Sequence, residues 1–351
     1  MKKFLSLVLI CAMALSLVAC GGADAPAAEA PKAEAPAANA PAAEAPAASD
    51  AGFETTSTWR PTSAVSFVLP AGAGGDTDLT CRLFTQYANQ LTGVDFVVVN
   101  ASGASGSIAS QQVLDAANDG HTALYGHTLV NVANIAGITD FNYTAFTLGP
   151  NFAKNPAQQL YVSAEKYPGG MDEFLEAAKA NPGKLMACTE VGAYTYYELL
   201  AFEKAAGIDL DLVDVGSNAD KIAAMLGGQV DLMPGAWMSN KDYVASGDFL
   251  CIGAPTAEAY DMLTSAGVKT LAEQGIDLVY PDLDYSFYFP ADTDPEIIQY
   301  YDDLVKAVLD MPECQQALID MDVIPNYLSS TEAAENEAWL FETLKGIADS
   351  L

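Results

Sequence analysis

The sequence predicts an α/β protein with parallel sheets, and three observations lead to that fold class. Short apolar runs of strand type alternate with helix patterns from residue 65 onward. Two loops made of small residues each separate such a strand from a helix. The length of 351 residues is sufficient for two domains once targeting segments are removed.

The first residues have the pattern of a bacterial lipoprotein leader. Met1-Lys2-Lys3 precedes an apolar run over residues 4–18, and Leu-Val-Ala-Cys ends at Cys20. This pattern predicts a signal peptide over residues 1–19, cleavage before Cys20 and lipid attachment to its sulfur, with an ordinary signal peptide as the alternative. Since no later segment has about 20 uninterrupted apolar residues, we expect a protein anchored to the outer face of the cytoplasmic membrane rather than spanning it.

Residues 20–54 predict a disordered tether behind the lipidated cysteine. They repeat Ala, Pro and Glu with scarcely any large apolar side chain. Such a composition cannot bury enough surface to offset the loss of chain entropy on folding. Regularly spaced prolines extend a chain of this kind, so we expect it to hold a folded domain away from the membrane.

The net charge limits the classes of partner, and the cysteine spacing limits what can be said of disulfides. The formal net charge of −31 excludes a nucleic-acid partner on electrostatic grounds and opposes long-range attraction of an anion. Beyond the leader and Cys20, four cysteines remain without a Cys-x-x-Cys pair: Cys81, Cys188, Cys251 and Cys314. We expect them to act as small buried apolar residues, while their spacing assigns no disulfide.

The first small-residue loop follows a predicted strand at residues 65–69. Pro70 ends the strand, residues 71–75 have almost no side chains, and Asp76, Thr77 or Asp78 is predicted to cap the helix that follows. A strand, a loop and a helix start in this order leave backbone N–H groups that favour an anion. A simple tight turn is the alternative.

A second loop of the same kind strengthens the anion hypothesis. The predicted strand 96–99 leads into Asn-Ala-Ser-Gly-Ala-Ser-Gly-Ser over residues 100–107, and another helix pattern follows. Loops after neighbouring parallel strands meet at the carboxyl edge of one sheet, where open α/β folds bind ligands. The sequence therefore predicts an anion site between residues 71–75 and 100–107.

The remaining elements follow in alternation. Strands are predicted at residues 122–125, 160–162, 184–189, 210–215, 230–233, 249–253 and 286–289. Helices are predicted at residues 171–180, 196–206, 220–226, 295–309, 312–321 and 331–350.

No enzyme signature is complete. Thr77 stands where the dinucleotide fingerprint needs its third glycine, and no Gly-Lys-Ser/Thr follows either loop. Ser107 replaces the second glycine of a nucleophile elbow after Ser105. The sequence has two histidines, His121 and His127, which are few for a histidine-based catalytic or metal site. We therefore expect no catalysis, no metal and no cofactor.

Six motifs resemble those of the solute receptors of tripartite tricarboxylate transporters, also called Bug receptors. The resemblance extends from about residue 60 to the C-terminus. The matching motifs are residues 70–78 (PAGAGGDTD), 99–106 (VNASGASG), 119–126 (DGHTALYG), 178–184 (AKANPGK), 226–231 (LGGQVD) and 271–275 (LAEQG).

The resemblance implies a two-lobed, periplasmic-binding-protein-like fold of type II that closes on a small organic acid. One lobe would comprise residues 55–154 with 255–351, and the other residues 155–254. The receptor would be a monomer that hands its solute to membrane permease subunits. In the family, backbone N–H groups hold a carboxylate, which suits a folded part with two arginines.

Carried over, the ligand-binding residues are Ala73, Gly74, Gly75 and Asp78 of the first loop, Asn100, Gly103, Ala104 and Ser105 of the second, and Thr189, Gly192 and Thr195 of the other lobe.

Three departures bear on the ligand. Residues 213–216 read Val-Asp-Val-Gly where the family often carries an aromatic residue and a lysine. Tyr194 enters a loop of small residues, and His127 stands where a small hydroxyl residue is frequent. Both are candidate ligand contacts, with packing as the alternative. A receptor for an uncharged or aromatic solute is therefore a second hypothesis, and a surface hydrolase using Ser105 or His127 a third.

Overall fold

The computed structural model describes residues 53–351, which form one compact α/β unit. Predictions for the leader, for Cys20 and for the tether up to residue 52 lie outside the described residues. Within residues 53–351 no helix combines the length and the apolar character needed to cross a bilayer. Cys81, Cys188 and Cys314 are buried and Cys251 is partly exposed; all four are free thiols.

The strands of the described chain are β1 (Val65–Leu69), β2 (Phe96–Asn100), β3 (Thr122–Gly126), β4 (Thr147–Asn155), β5 (Gln159–Ser163), β6 (Met186–Thr189), β7 (Asp211–Asp214), β8 (Met233–Gly235), β9 (Phe249–Gly253), β10 (Leu283–Phe289) and β11 (Ile324–Leu328). The helices are α1 (Asp76–Thr92), α2 (Ser107–Leu114), α3 (Leu129–Ile135), α4 (Met171–Ala180), α5 (Tyr194–Ala206), α6 (Asn218–Leu226), α7 (Trp237–Ser246), α8 (Asp261–Thr264), α9 (Pro295–Leu309), α10 (Pro312–Asp320) and α11 (Ser330–Ser350).

The strands form three sheets. The largest has six strands in the order β11-β4-β10-β3-β1-β2, and the others have the orders β8-β5-β9 and β6-β7. Pairing is parallel among β1, β2 and β3 and between β6 and β7, and it is antiparallel in the remaining pairs. The predicted α/β class is confirmed, but the sheets are mixed rather than parallel throughout. In the six-stranded sheet, β10 runs against both β3 and β4, and β11 runs against β4, while the sheet β8-β5-β9 is antiparallel throughout.

The six-stranded sheet has one apolar core, and the two smaller sheets have another. Beside the six-stranded sheet, the rings of Phe67 and Phe84 each lie 5.0 Å from that of Phe287, joining β1, α1 and β10. Phe174 of α4 and Phe202 of α5 are fully buried in the core over the smaller sheets. A buried phenylalanine contributes about 2 to 3 kcal/mol through removal from water, so such clusters fix the helices on the sheets.

Helix α1 shows how the first loop is terminated. Its N-cap is Gly75 with extended backbone and no side-chain cap, so Asp76 is the first helical residue rather than a cap. Two acidic side chains, Asp76 and Asp78, occupy its first turn, where the helix dipole favours negative charge. Gly93 ends the helix in the left-handed conformation at φ 68°.

Several element predictions need correction. Helix α5 begins at Tyr194, two residues early, so Tyr194 and Thr195 belong to its first turn rather than to a loop. Strand β8 is displaced from the predicted residues 230–233. Strands β4 and β11 and helices α3 and α7 were not predicted.

Candidate functional site

The two small-residue loops lie side by side, as the sequence predicts. Strands β1 and β2 pair in parallel with Leu69 opposite Asn100, and the Ala101 N–H donates to the Leu69 carbonyl at 2.9 Å. Both loops therefore leave the same carboxyl edge of the six-stranded sheet. We call residues 71–75 the first loop and residues 101–106 the second loop.

Asp78 holds the first loop in place. Its carboxylate accepts hydrogen bonds from the backbone N–H of Gly74 (2.9 Å), from Nε of Arg82 (2.9 Å) and from the side-chain amide of Asn100 (2.9 Å). Arg82 adds an ion pair at 2.9 Å. Asn100 also donates to the Ala71 carbonyl at 3.1 Å.

These contacts engage the side chains of both Asp78 and Asn100, two of the residues predicted to bind the ligand. Burial acts to raise the pKa of Asp78, but the hydrogen bonds from Arg82, Gly74 and Asn100 outweigh it and lower the pKa. Asp78 is thus an ionised carboxylate that is 2% exposed. It holds the first loop in shape and accepts the Gly74 N–H.

The second loop adopts a rare backbone conformation. Gly103, Ala104 and Ser105 have φ angles of 121°, 48° and 52°. Two consecutive non-glycine residues with positive φ cost about 1 kcal/mol or more each, and such strain concentrates at binding sites. The turn directs the N–H of Ser105 toward the segment after β6.

A carboxylate already occupies that N–H. Ser105 donates from its backbone to Oε1 of Glu190 at 3.0 Å, and its hydroxyl donates to the Val191 carbonyl at 3.3 Å. Ser105 is 3% exposed, so the contact is largely shielded from water. The second loop therefore binds a carboxylate in this structure, and that carboxylate comes from the protein.

Other amides of the two loops remain available. Among the described residues, the backbone N–H groups of Ala73 and Gly75 in the first loop donate no hydrogen bond. The same holds for Gly103 and Ala104 in the second loop. Four of the predicted ligand-binding residues thus present unpaired donors at one edge of the sheet.

The segment after β6 packs against the segment after α3. A Cβ built on Gly192, which has φ +77°, would lie 3.1 Å from Ile138 Cδ1 and 3.3 Å from Ala136 Cβ. Glycine adopts this backbone angle without steric cost, whereas a larger residue would be strained and would push on these side chains. The hydroxyls of Thr189 and Thr195 hydrogen-bond each other at 2.8 Å, which fixes the start of α5.

The rings of Tyr194 and His127 pack against each other, and the tyrosine hydroxyl is engaged within the protein. The rings lie 5.8 Å apart edge to face, while the Tyr194 hydroxyl donates to the Pro281 carbonyl. Packing therefore accounts for Tyr194, which is 2% exposed. Nδ1 of His127 is buried without a hydrogen-bond partner, and burial lowers the pKa of its imidazole to about 4. The ring is neutral at pH 7.

Three charged residues that interact with the groups described above were not predicted as site residues: Asp76, Glu198 and Lys221. Asp76 accepts a hydrogen bond from the Tyr285 hydroxyl at 2.8 Å and interacts electrostatically with His127. Lys221 is 8% exposed, and its amino group interacts electrostatically with Glu190, Glu198 and Asp76. Lys221 was missed because its sequence position resembles a solvent-facing one in the first turn of an amphipathic helix.

Burial shifts the pKa values of Glu198 on α5 and Lys221 on α6. Glu198 is fully buried, which raises the pKa of its carboxyl well above the usual value, although Lys221 opposes the shift. The Gln158 amide approaches Glu198, but neither carboxyl oxygen has a partner with hydrogen-bond geometry. Burial also lowers the pKa of Lys221, whereas Cys188, Glu190, Glu198 and Asp76 raise it. Lys221 is thus nearly buried, and the acidic groups around it oppose the effect of burial on its pKa.

The residues proposed for a hydrolase do not form a catalytic pair. The Ser105 hydroxyl is bonded to Val191, and the ring neighbours of His127 are Tyr194 and Tyr285. Within residues 53–351 no group of three His, Cys, Asp or Glu side chains is arranged to hold a metal ion.

A surface recess of about 750 Å³ lies beyond the second loop and includes none of the predicted site residues. It runs along α2 and the segment after α3, from Ser107 to Phe141. Its one charged residue is Asp140. Since ligand sites combine a cavity with convergent polar groups, the loops rather than this recess carry the candidate chemistry.

Comparisons with known proteins identify relatives of this chain. The model of a family described as "Tripartite tricarboxylate transporter family receptor" matches residues 81–338. A UPF0065 protein of the gbd 5' region in Cupriavidus necator is 29% identical over 301 residues, covering 83% of this chain and 88% of that protein. The Bordetella pertussis protein BugT is 23% identical over 250 residues, covering 68% and 74%.

Solved structures share the fold. MatC from Rhodopseudomonas palustris, with bound malate, superposes with a TM-score of 0.75 at 21% identity and covers 82% of this chain and 100% of its own. A second R. palustris protein, with adipate, has a TM-score of 0.76 at 22% identity and covers 82% and 98%. At these identities the likeness establishes an α/β fold of the periplasmic-binding-protein kind.

Proposed function

Because this chain belongs to the tripartite tricarboxylate transporter receptor family, we propose that it captures a small carboxylate outside the cytoplasmic membrane and delivers it to the permease of such a transporter. The family is one of extracytoplasmic solute-binding receptors rather than enzymes. The malate and adipate of the two R. palustris structures support a carboxylate as the ligand class.

The contact between Ser105 and Glu190 carries the proposal. A main-chain N–H of the second loop holds a carboxylate oxygen at 3.0 Å, in a position that is largely shielded from water. Unpaired N–H groups of Ala73, Gly75, Gly103 and Ala104 surround the same edge of the sheet. Charge-assisted hydrogen bonds of this kind are about twice as strong as neutral ones. The ligand-binding role of these loop residues is part of the proposal.

Capture would proceed by closure of two lobes, residues 55–154 with 255–351 and residues 155–254. The chain passes from the six-stranded sheet to the smaller sheets after β4 and returns between β9 and β10. The Ser105–Glu190 bond and the Gly192 contact join elements from the two sides of these crossings. A solute that bonds both to these loops and to the segment after β6 would stabilise the closed form, because it would contact both lobes.

We propose a monomer attached to the membrane through a lipid on Cys20, with residues 20–54 as the tether. The leader pattern and the composition of that segment support this arrangement.

Thermal unfolding of the purified full-length chain, in a detergent that retains a lipidated protein, tests the ligand class. The panel comprises mono-, di- and tricarboxylates, with neutral sugars and amides as the contrast. At a ligand concentration about 100-fold above Kd we expect Tm to rise by about 5 °C for at least one carboxylate. A rise with neutral sugars or amides alone would contradict the proposal.

A further inference from the structure

Glu190 stands where an anionic ligand group would bind. It lies between Thr189 and Gly192, two residues predicted to bind the ligand, and its Oε1 accepts the second-loop N–H of Ser105 at 3.0 Å. The strained backbone of Ala104 and Ser105 aims that N–H at the carboxylate. The protein therefore fills one anion position with its own side chain.

The charges around Glu190 leave little room for a second negative group. Lys221, which is 8% exposed, already interacts with Glu190, Glu198 and Asp76. His127 interacts electrostatically with Asp76, and its ring lies 5.8 Å from that of Tyr194 and 6.1 Å from that of Tyr285. Each additional carboxylate would be repelled by Glu190 and Asp76. The cations described at this site are Lys221 and Arg82, and Arg82 is already paired with Asp78.

The donors that remain are sufficient for one carboxylate. Ala73 and Gly75 offer free N–H groups in the first loop, and Gly103 and Ala104 offer them in the second. Nδ1 of His127 is buried without a partner, and a neutral imidazole nitrogen can donate to or accept from an uncharged polar group. These groups suit a solute with one anionic end and one end that is neutral or cationic.

We propose that Glu190 replaces the second carboxylate of a dicarboxylate ligand, so that this receptor selects solutes with a single carboxylate and a neutral or cationic far end. The inference rests on the proposed function, because it specifies the solute of the same site. The position of Glu190 would distinguish this chain from a receptor in which both loops hold carboxylates of the ligand.

Acids of matched length test the selection. The probes are adipate, hexanoate and the six-carbon ω-amino acid, together with succinate, butanoate and the four-carbon ω-amino acid. Titration calorimetry on the purified full-length chain should give at least about tenfold tighter binding of the best single-carboxylate member of a series than of its dicarboxylate. Equal or tighter binding of the dicarboxylates would overturn the inference, because it would mean that a ligand displaces Glu190.

The Glu190→Gln variant separates charge from shape. It keeps the side-chain length and removes the negative charge, so we expect the preference for single carboxylates to fall by about tenfold while binding of those acids persists. Glu165→Gln, at an exposed glutamate, is the matched control and should keep the parent preference. An unchanged preference in a folded Glu190→Gln protein would also overturn the inference. Absence of binding by every acid would remove the proposed function itself, and this inference with it.

Discussion

The carboxylate of Asp78 and the side-chain amide of Asn100 hydrogen-bond at 2.9 Å, which ties the start of α1 to the end of β2. Asn100 extends the connection to the Ala71 carbonyl, and Asp78 extends it to the Gly74 N–H. The two loops therefore have a fixed spacing before any ligand binds. Such preorganisation lowers the entropy cost of binding.

Asp78→Ala should destabilise the protein by about 3 kcal/mol, because it leaves the N–H of Gly74 and the amide of Asn100 without their acceptor. Urea unfolding followed by circular dichroism measures the loss. Arg82→Ala is the comparison, and it should cost about 1 kcal/mol or less, since the arginine side chain is 50% exposed. Equal losses in the two variants would mean that the ion pair, and not the connection between the loops, provides the stability.

Glu337 should make stability depend on pH. It is 0% exposed and accepts hydrogen bonds from the Tyr288 hydroxyl (2.9 Å) and the Asn131 amide (2.6 Å). Burial raises the pKa of its carboxyl from 4.5 to about 7. The folded protein thus keeps a proton that the unfolded chain loses, so the stabilisation is complete below pH 4.5 and is lost as the pH rises through 7.

Glu337→Gln should abolish this dependence, whose full size is about 3 kcal/mol. Urea unfolding of parent and variant between pH 4.5 and about pH 8 gives the difference in unfolding free energy at each pH. Glu342→Gln, at an exposed position of the same helix, should leave the parent profile unchanged. A difference that stays constant with pH would show that folding does not shift the pKa of Glu337.

Lys221→Met should weaken binding of the best carboxylate by about tenfold, because it removes the basic side chain that interacts electrostatically with Glu190 and Asp76. Titration calorimetry measures the change. Lys184→Met, at an exposed lysine before β6, removes the same charge from the surface and should have little effect. Similar losses in the two variants would indicate a general effect of net charge rather than a role of Lys221 in the site.

Cys20→Ser should release the protein from the membrane, because the proposed lipid is attached to that sulfur. Partition between the detergent and aqueous phases of Triton X-114 provides the measurement, and the variant should move to the aqueous phase. Cys251→Ser, at a partly exposed free thiol, is the control and should remain with the detergent. Retention of the Cys20→Ser protein in the detergent phase would reject lipid anchoring at this residue.

Local sequence patterns predicted those elements in which apolar residues are buried and turn residues lie in turns. Residues 65–69 are short, apolar and followed by proline, and they form β1 as expected. Strand β4 was missed because Gly149, Pro150 and Asn151 resemble a turn. In the fold, Asn151 is fully buried and its amide donates to the Asn326 carbonyl of β11 at 2.7 Å, a partner that is distant in sequence.

The site was predicted in part for the same reason. Glycine and small residues identified both loops, because their backbone requirements are local. The acidic side chain of Glu190 argued against a place in an anion site, and its contact with Ser105 joins residues 85 positions apart. Asp78 was assigned to the ligand through the family resemblance. Its hydrogen bonds within the protein depend on the folded loop, so they were not visible in the sequence.

Strand β10 has a consequence for the order in which the protein folds. It lies between β3 and β4 in the sheet, yet all the strands of both smaller sheets, β5 to β9, separate it from β4 in the sequence. During synthesis, the segment from β5 to β9 is complete before β10 emerges, whereas β3 and β4 must wait without their shared neighbour. Pairing of such distant segments is slow because a long loop must close first. A nascent chain that stops before Leu283 therefore exposes one open edge of β3 and both edges of β4, because β11 also follows Leu283, and such edges invite aggregation.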